Sequence, residues 1–155
     1  LLSLAFAVWE RKGKEAAGWI ALILAFAVGM GFHAMAAQAV VLPTDIPSPG
    51  WHDMQGFSAF LKAVIFTSVL QPLKLPYALL AALLPMVGWC ALKGRAGAFA
   101  VLYFIGYAVM ISAFSRPDTF YWGAIVMPHY FVGFALLPRA LWQLAGAIGG
   151  RRAGI

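Results

Sequence analysis

Five titratable side chains fall in two short polar stretches of a mostly apolar chain. Asp45, His52 and Asp53 lie in the first, and Arg116 and Asp118 in the second. A carboxylate such as Asp53 or Asp118 can accept a proton or a hydroxyl hydrogen bond. A guanidinium such as Arg116 can hold an anionic group, a phosphate for instance, with two parallel hydrogen bonds. His52 and Tyr121 complete a possible substrate-binding set. A plainer reading competes with it. Trp51, Tyr121 and Trp122 can form an interfacial aromatic belt, the charges being solvated loop residues. Arg116-Pro117-Asp118 also has the makings of a turn, with Asp118 or Thr119 capping the helix that follows.

Two more histidines, His33 and His129, lie inside apolar runs, each about 13 Å along its helix from the same end. Small residues flank them: Gly29 and Ala37 for His33, Gly133 for His129. Ionisable groups at such depth face a bundle interior more often than lipid. Three roles are open: structural hydrogen bonding, lining a cavity, or axial ligation of a haem by the pair. No Cys-x-x-Cys-His marks a haem site. The single Cys90 allows neither an intrachain disulfide nor a zinc site. Walker, His-Glu-x-x-His, Gly-x-Ser-x-Gly and Asp-x-Asp patterns do not occur, so no metal is expected. Gln38 reads as a polar packing contact.

The elements that must hold these groups are dictated by composition. Hydrophobic residues make up 63% and charged residues 10% of the 155, against about 25% charged in a soluble domain. Too few charges remain to cover a water-exposed surface, so the expected fold is an all-α, polytopic membrane helix bundle. Four full spans are expected, at 16–42, 77–92, 97–114 and 120–137. Residues 1–9 read as the end of a spanning helix that begins upstream. Leu1 to Val8 rises only about 12 Å as a helix, against a bilayer core of about 30 Å. Residues 10–15 form a basic loop, 43–56 a Pro-rich outer loop, 115–119 an outer turn and 138–155 a tail. Residues 57–70 are apolar but short, with Lys62 in the middle, and predict an interfacial or re-entrant helix with Lys62 snorkelling to the headgroups.

Charge sets an orientation. With the 10–15 loop in the cytoplasm, Arg11, Lys12, Lys14, Lys93, Arg95, Arg139, Arg151 and Arg152 all lie inside. Lys62, Lys74 and Arg116 lie outside, in keeping with the positive-inside rule. The net charge of +6 therefore points to anionic lipid and away from nucleic acid.

The segment Arg116 to Gly123, RPDTFYWG, is followed by a Pro-containing apolar helix and Leu137-Pro138-Arg139. It resembles the C-terminal membrane region of bacterial polytopic glycosyltransferase-like proteins of the GT-C type. The long helix ending in an outer loop with Ser48-Pro49-Gly50-Trp51 is similar to the same group. The resemblance covers residues 116–155 by motif and the remainder by topology only. It implies the bacterial inner membrane, polyprenyl-phosphate-linked sugar donors and transfer at the periplasmic face. It also implies a catalytic carboxylate in an early outer loop upstream of Leu1, so no catalytic residue is assigned here. A donor-phosphate role falls to Arg116. A transporter fragment, a structural subunit and a haem-binding electron carrier are the other functional readings, the last resting on His33 and His129.

Overall fold

The computed structural model describes residues 1–46, 50 and 54–152, and of these the side chains of Pro117 and 149–152 are left aside. Every regular element among the described residues is helical. The chain divides into two compact units, Leu1–Gly50 and Trp51–Ile155.

In the first unit α1 (Leu2–Trp9) packs on α2 (Gly13–Gln38). A tight turn joins them, with Arg11 at φ 56° and Lys12 N–H donating to Ala7 O at 2.8 Å. Lys12 Nζ also pairs with Glu10 at 2.8 Å. The 26 residues of α2 rise about 39 Å, enough to cross a bilayer core. None of them is buried, and the mean hydropathy of the most apolar stretch is 2.1. A helix that is apolar all round and exposed all round has lipid as its natural solvent. Beyond it, Asp45 closes a turn: its Oδ2 accepts from Leu42 N–H at 2.8 Å, and its own N–H donates to Leu42 O at 3.0 Å.

The second unit is built around its shortest regular α-helices. α3 (Phe57–Phe66) buries Phe60, Leu61, Ala63, Val64 and Ile65. It packs against α4 (Leu75–Trp89), α5 (Gly94–Phe114), a 3₁₀ segment (Pro117–Trp122) and α6 (Gly123–Tyr130). Ten residues rise about 15 Å, half a bilayer core. α3 thus packs against most of its unit, with Phe57, Ser58, Lys62 and Phe66 exposed. Phe60, Phe104 and Tyr130 meet edge to face at its core, Phe60–Tyr130 at 5.8 Å and Phe104–Tyr130 at 5.1 Å between ring centroids.

The expected span over 120–137 is sharply bent. The Asp118–Tyr130 and Val132–Ile148 segments meet at 64°. The helix α7 (Val132–Arg152) then runs through Pro138 and Arg139, so residues 138–152 continue a helix where a tail was expected. At the bend Phe134 N–H bonds to Phe131 O at 2.9 Å, which leaves Tyr130 O outside the helical ladder. Trp89 Nε1 donates to that oxygen at 3.0 Å. The Tyr130 hydroxyl in turn donates to Ala82 O at 2.6 Å.

Close backbone approach explains why α7 packs on α4. A Cβ at Gly88 would overlap Gly133 O, and one at Gly133 would overlap Pro85 O. Small residues at a crossing let backbones touch, the usual basis of helix packing in lipid.

Among the described residues two helices, α2 and α5, are long and apolar enough to cross a membrane, and the bent α6–α7 pair would make a third as one span. The expected span at 77–92 is the fifteen-residue α4, which rises only about 22 Å.

Candidate functional site

The second polar stretch folds into a turn held by its own residues. Thr119 is 1% exposed. Its hydroxyl accepts from Arg116 N–H at 2.9 Å and donates to Arg116 O at 2.8 Å. Arg116 Nε lies 3.1 Å from Asp118 Oδ1, and a second nitrogen lies 3.3 Å from Oδ2. This two-pronged pair orients the guanidinium. Asp118 itself is 70% exposed at its side chain, so it steadies Arg116 from the solvent side.

Arg116 faces a cleft of about 200 Å³ lined also by Gln55, Ala59, Lys62, Ser115 and Phe120. Two cations from distant parts of the chain therefore share one wall, with no carboxylate among the described lining residues. The cleft owes its shape to three contacts. Gln55 N–H and Gly56 N–H both donate to Ser112 O, at 3.0 and 3.1 Å, pinning the approach to α3 onto the last turn of α5. Phe66 packs edge-on to Phe120 at 6.0 Å. Gly123 lets α6 approach α3 closely, since a Cβ there would lie 2.6 Å from Ala63 O.

A separate, largely apolar groove of about 350 Å³ is lined by Met54, Phe57, Met86, Ile105, Val109 and Ser112. Ser112 Oγ is buried with no hydrogen-bond partner. Such an orphan hydroxyl costs free energy unless something reaches it. The stretches Gln55-Gly56 and Ser112 to Ser115 contribute to both spaces.

No protein-family model, curated protein or solved structure matches this chain. The geometry must carry the functional argument.

Of the residues expected at a site, Arg116 and Asp118 come together. Tyr121 is exposed, its ring 6.4 Å from Phe120, and it does not line the cleft. His52 and Asp53, with Trp51 and Ser48-Pro49, lie outside the described residues. Lys62 and Gln55 were not expected to join Arg116. The available signal was a lysine interrupting a run of apolar residues, which lipid tolerates only where the ammonium reaches water or a partner.

The two histidines of the apolar runs belong to different units. His33 is exposed on α2. His129 lies on α6 beside Tyr103 and Phe104, at 5.3 and 5.6 Å between ring centroids. Among the described residues no three His, Cys, Asp or Glu side chains gather as a metal site would require.

Proposed function

We propose that residues 51–155 bind the phosphate-bearing headgroup of a membrane lipid, as part of a lipid-linked sugar transferase of the GT-C-like kind. The observation that carries this reading is that Lys62 and Arg116 both line one cleft, in a unit that also holds a largely apolar groove. Phosphate oxygens match an ammonium as a point charge and a guanidinium whose orientation Asp118 already fixes. The groove offers the hydrocarbon tail a protein surface that a water-soluble phosphate would not use. In this reading the chain supplies donor binding, the catalytic carboxylate lies elsewhere in the protein, and polyprenyl-phosphate-linked sugar is the ligand. The basic loops face the cytoplasm of a bacterial inner membrane, and loops 43–56 and 115–119 face the periplasm.

The test is binding of a fluorescent polyprenyl phosphate to the chain in nanodiscs. Lys62→Ala and Arg116→Ala should each weaken binding about tenfold or more, in line with loss of a charged hydrogen bond of about 1.5–3 kcal/mol. Tyr121→Ala should leave it unchanged. Equal binding by all the variants would end the proposal.

The 64° break between α6 and α7 and the half-length α3 favour a second reading, a transporter or permease fragment, because broken helices often build substrate sites at mid-membrane. Phosphate-lipid binding that survives both substitutions, together with solute uptake into proteoliposomes, would favour it over the first.

A further inference from the structure

Ser115 shares the cleft wall with Lys62 and Arg116, and it is the most deeply buried of the polar residues there, at 3% exposure. It caps the C-terminus of α5, where the backbone turns extended at φ −77° and ψ 143°. Its N–H is spent on Ile111 O at 3.1 Å. Its hydroxyl makes no hydrogen bond among the described residues.

Three hydroxyls in adjoining elements behave otherwise. Thr119 Oγ1 is bonded twice to the backbone of Arg116. Thr67 Oγ1 donates to Ala63 O at 2.7 Å, and Ser68 Oγ to Ile65 O at 3.3 Å. Ser115 has the option that Thr67 takes, the carbonyl four residues back, and leaves it unused. Ser112 Oγ is unpaired as well, one turn earlier on α5, but it belongs to a residue of the apolar groove, away from the two cations. A buried hydroxyl without a partner costs stability. In the wall of a cleft it is a donor open to whatever fills that cleft.

The company it keeps narrows the partner. Lys62 and Arg116 carry donors only. A ligand that meets an ammonium, a guanidinium and a hydroxyl together needs negative charge and acceptor oxygens in several directions. A phosphate has them in a tetrahedron, whereas a carboxylate has two in one plane. We propose that Ser115 is the third anchor of the phosphate, its hydroxyl donating to an oxygen beside those that Lys62 and Arg116 hold, and that it makes the cleft prefer a lipid phosphate to a lipid carboxylate. This role rests on the phosphate-headgroup reading above and adds the residue that sets its specificity.

The experiment uses the full chain in maltoside detergent with fluorescent polyprenyl phosphate as probe. Ser115→Ala should weaken probe binding about tenfold, the low end for a hydrogen bond to a charged group. The thermal midpoint of the unliganded variant should stay level or rise, because the unpaired hydroxyl is gone. Ser58→Ala, on the exposed side of α3, should change neither. Three competitors with one tail separate the headgroups: farnesyl phosphate, farnesoic acid and farnesol. Farnesyl phosphate should compete best against the unsubstituted chain. Its advantage over the acid should shrink about tenfold in Ser115→Ala, and competition by farnesol should stay the same.

Unchanged probe binding by Ser115→Ala, beside weakened binding by Lys62→Ala and Arg116→Ala, would overturn this role and leave the phosphate reading standing. Loss of binding shared equally by all three competitors would also overturn it, as the mark of a deformed cleft. So would a lower midpoint of the unliganded variant, since the hydroxyl would then be paired within the chain. Probe binding that none of the three substitutions alters would take down the phosphate reading and this role together.

Discussion

Tyr130 joins α6 to α4 through both its ends. Its hydroxyl reaches Ala82 O, its carbonyl takes the Trp89 indole N–H, and its ring is fully buried. Tyr130→Phe keeps the ring and removes one buried hydrogen bond. It should cost about 1 kcal/mol, seen as a lower thermal midpoint in detergent. No change in midpoint would mean that the hydroxyl is not engaged. None of this was legible beforehand, because Tyr130 and Ala82 are 48 residues apart and nothing local links them. Arg116 and Asp118 were legible, being two residues apart and of opposite charge. What the structure shows of them is the turn itself, with the guanidinium oriented by Asp118. Thr119 bonds the backbone of Arg116, and the guanidinium still faces a cleft. Lys62 was read for its snorkelling alone. Its exposure agrees with that, but its meeting with Arg116 depends on α3 packing against the 3₁₀ segment, which no local pattern encodes.

At the level of elements, the apolar runs located the helices and missed how they break. Pro128 lies inside α6, and the bend comes three residues later, where the Trp89 indole takes the carbonyl of Tyr130. Pro138 with Arg139 looked like a helix end by the usual stop signals. The helix runs past them, because α7 is held on α4 through Gly133 and again through Gln143, whose Nε2 lies 3.5 Å from Ala91 O. Two glycines separate these cases. Gly133→Val puts side-chain atoms against the backbone of Pro85 and should cost about 2–3 kcal/mol or more through overpacking. Gly146 has open space around it, so Gly146→Ala should be neutral or stabilise by up to about 1 kcal/mol. Thermal unfolding of the two variants side by side checks both. A harmless Gly133→Val would mean that α4 and α7 do not cross as described.

For the whole molecule, composition alone was enough for an all-helical fold with membrane-crossing segments. Four full spans were expected; among the described residues two helices, or three with the bent pair, are long and apolar enough to cross, and the run at 77–92 forms the shorter α4. The proposed orientation has its own test. In a Cys90→Ala background, Asp118→Cys and Arg95→Cys should be labelled by impermeant thiol reagents from opposite sides of the membrane. Labelling of both from one side would reverse the placement of the phosphate cleft relative to the basic turn.

A single tie between two rods leaves them free to swivel about it; two ties at different heights do not. Trp89 and Ala82 sit two helical turns apart on α4, and both grip the same tyrosine. The elbow before α7 is therefore clamped in angle as well as in distance, and it moves with α4 as one lever.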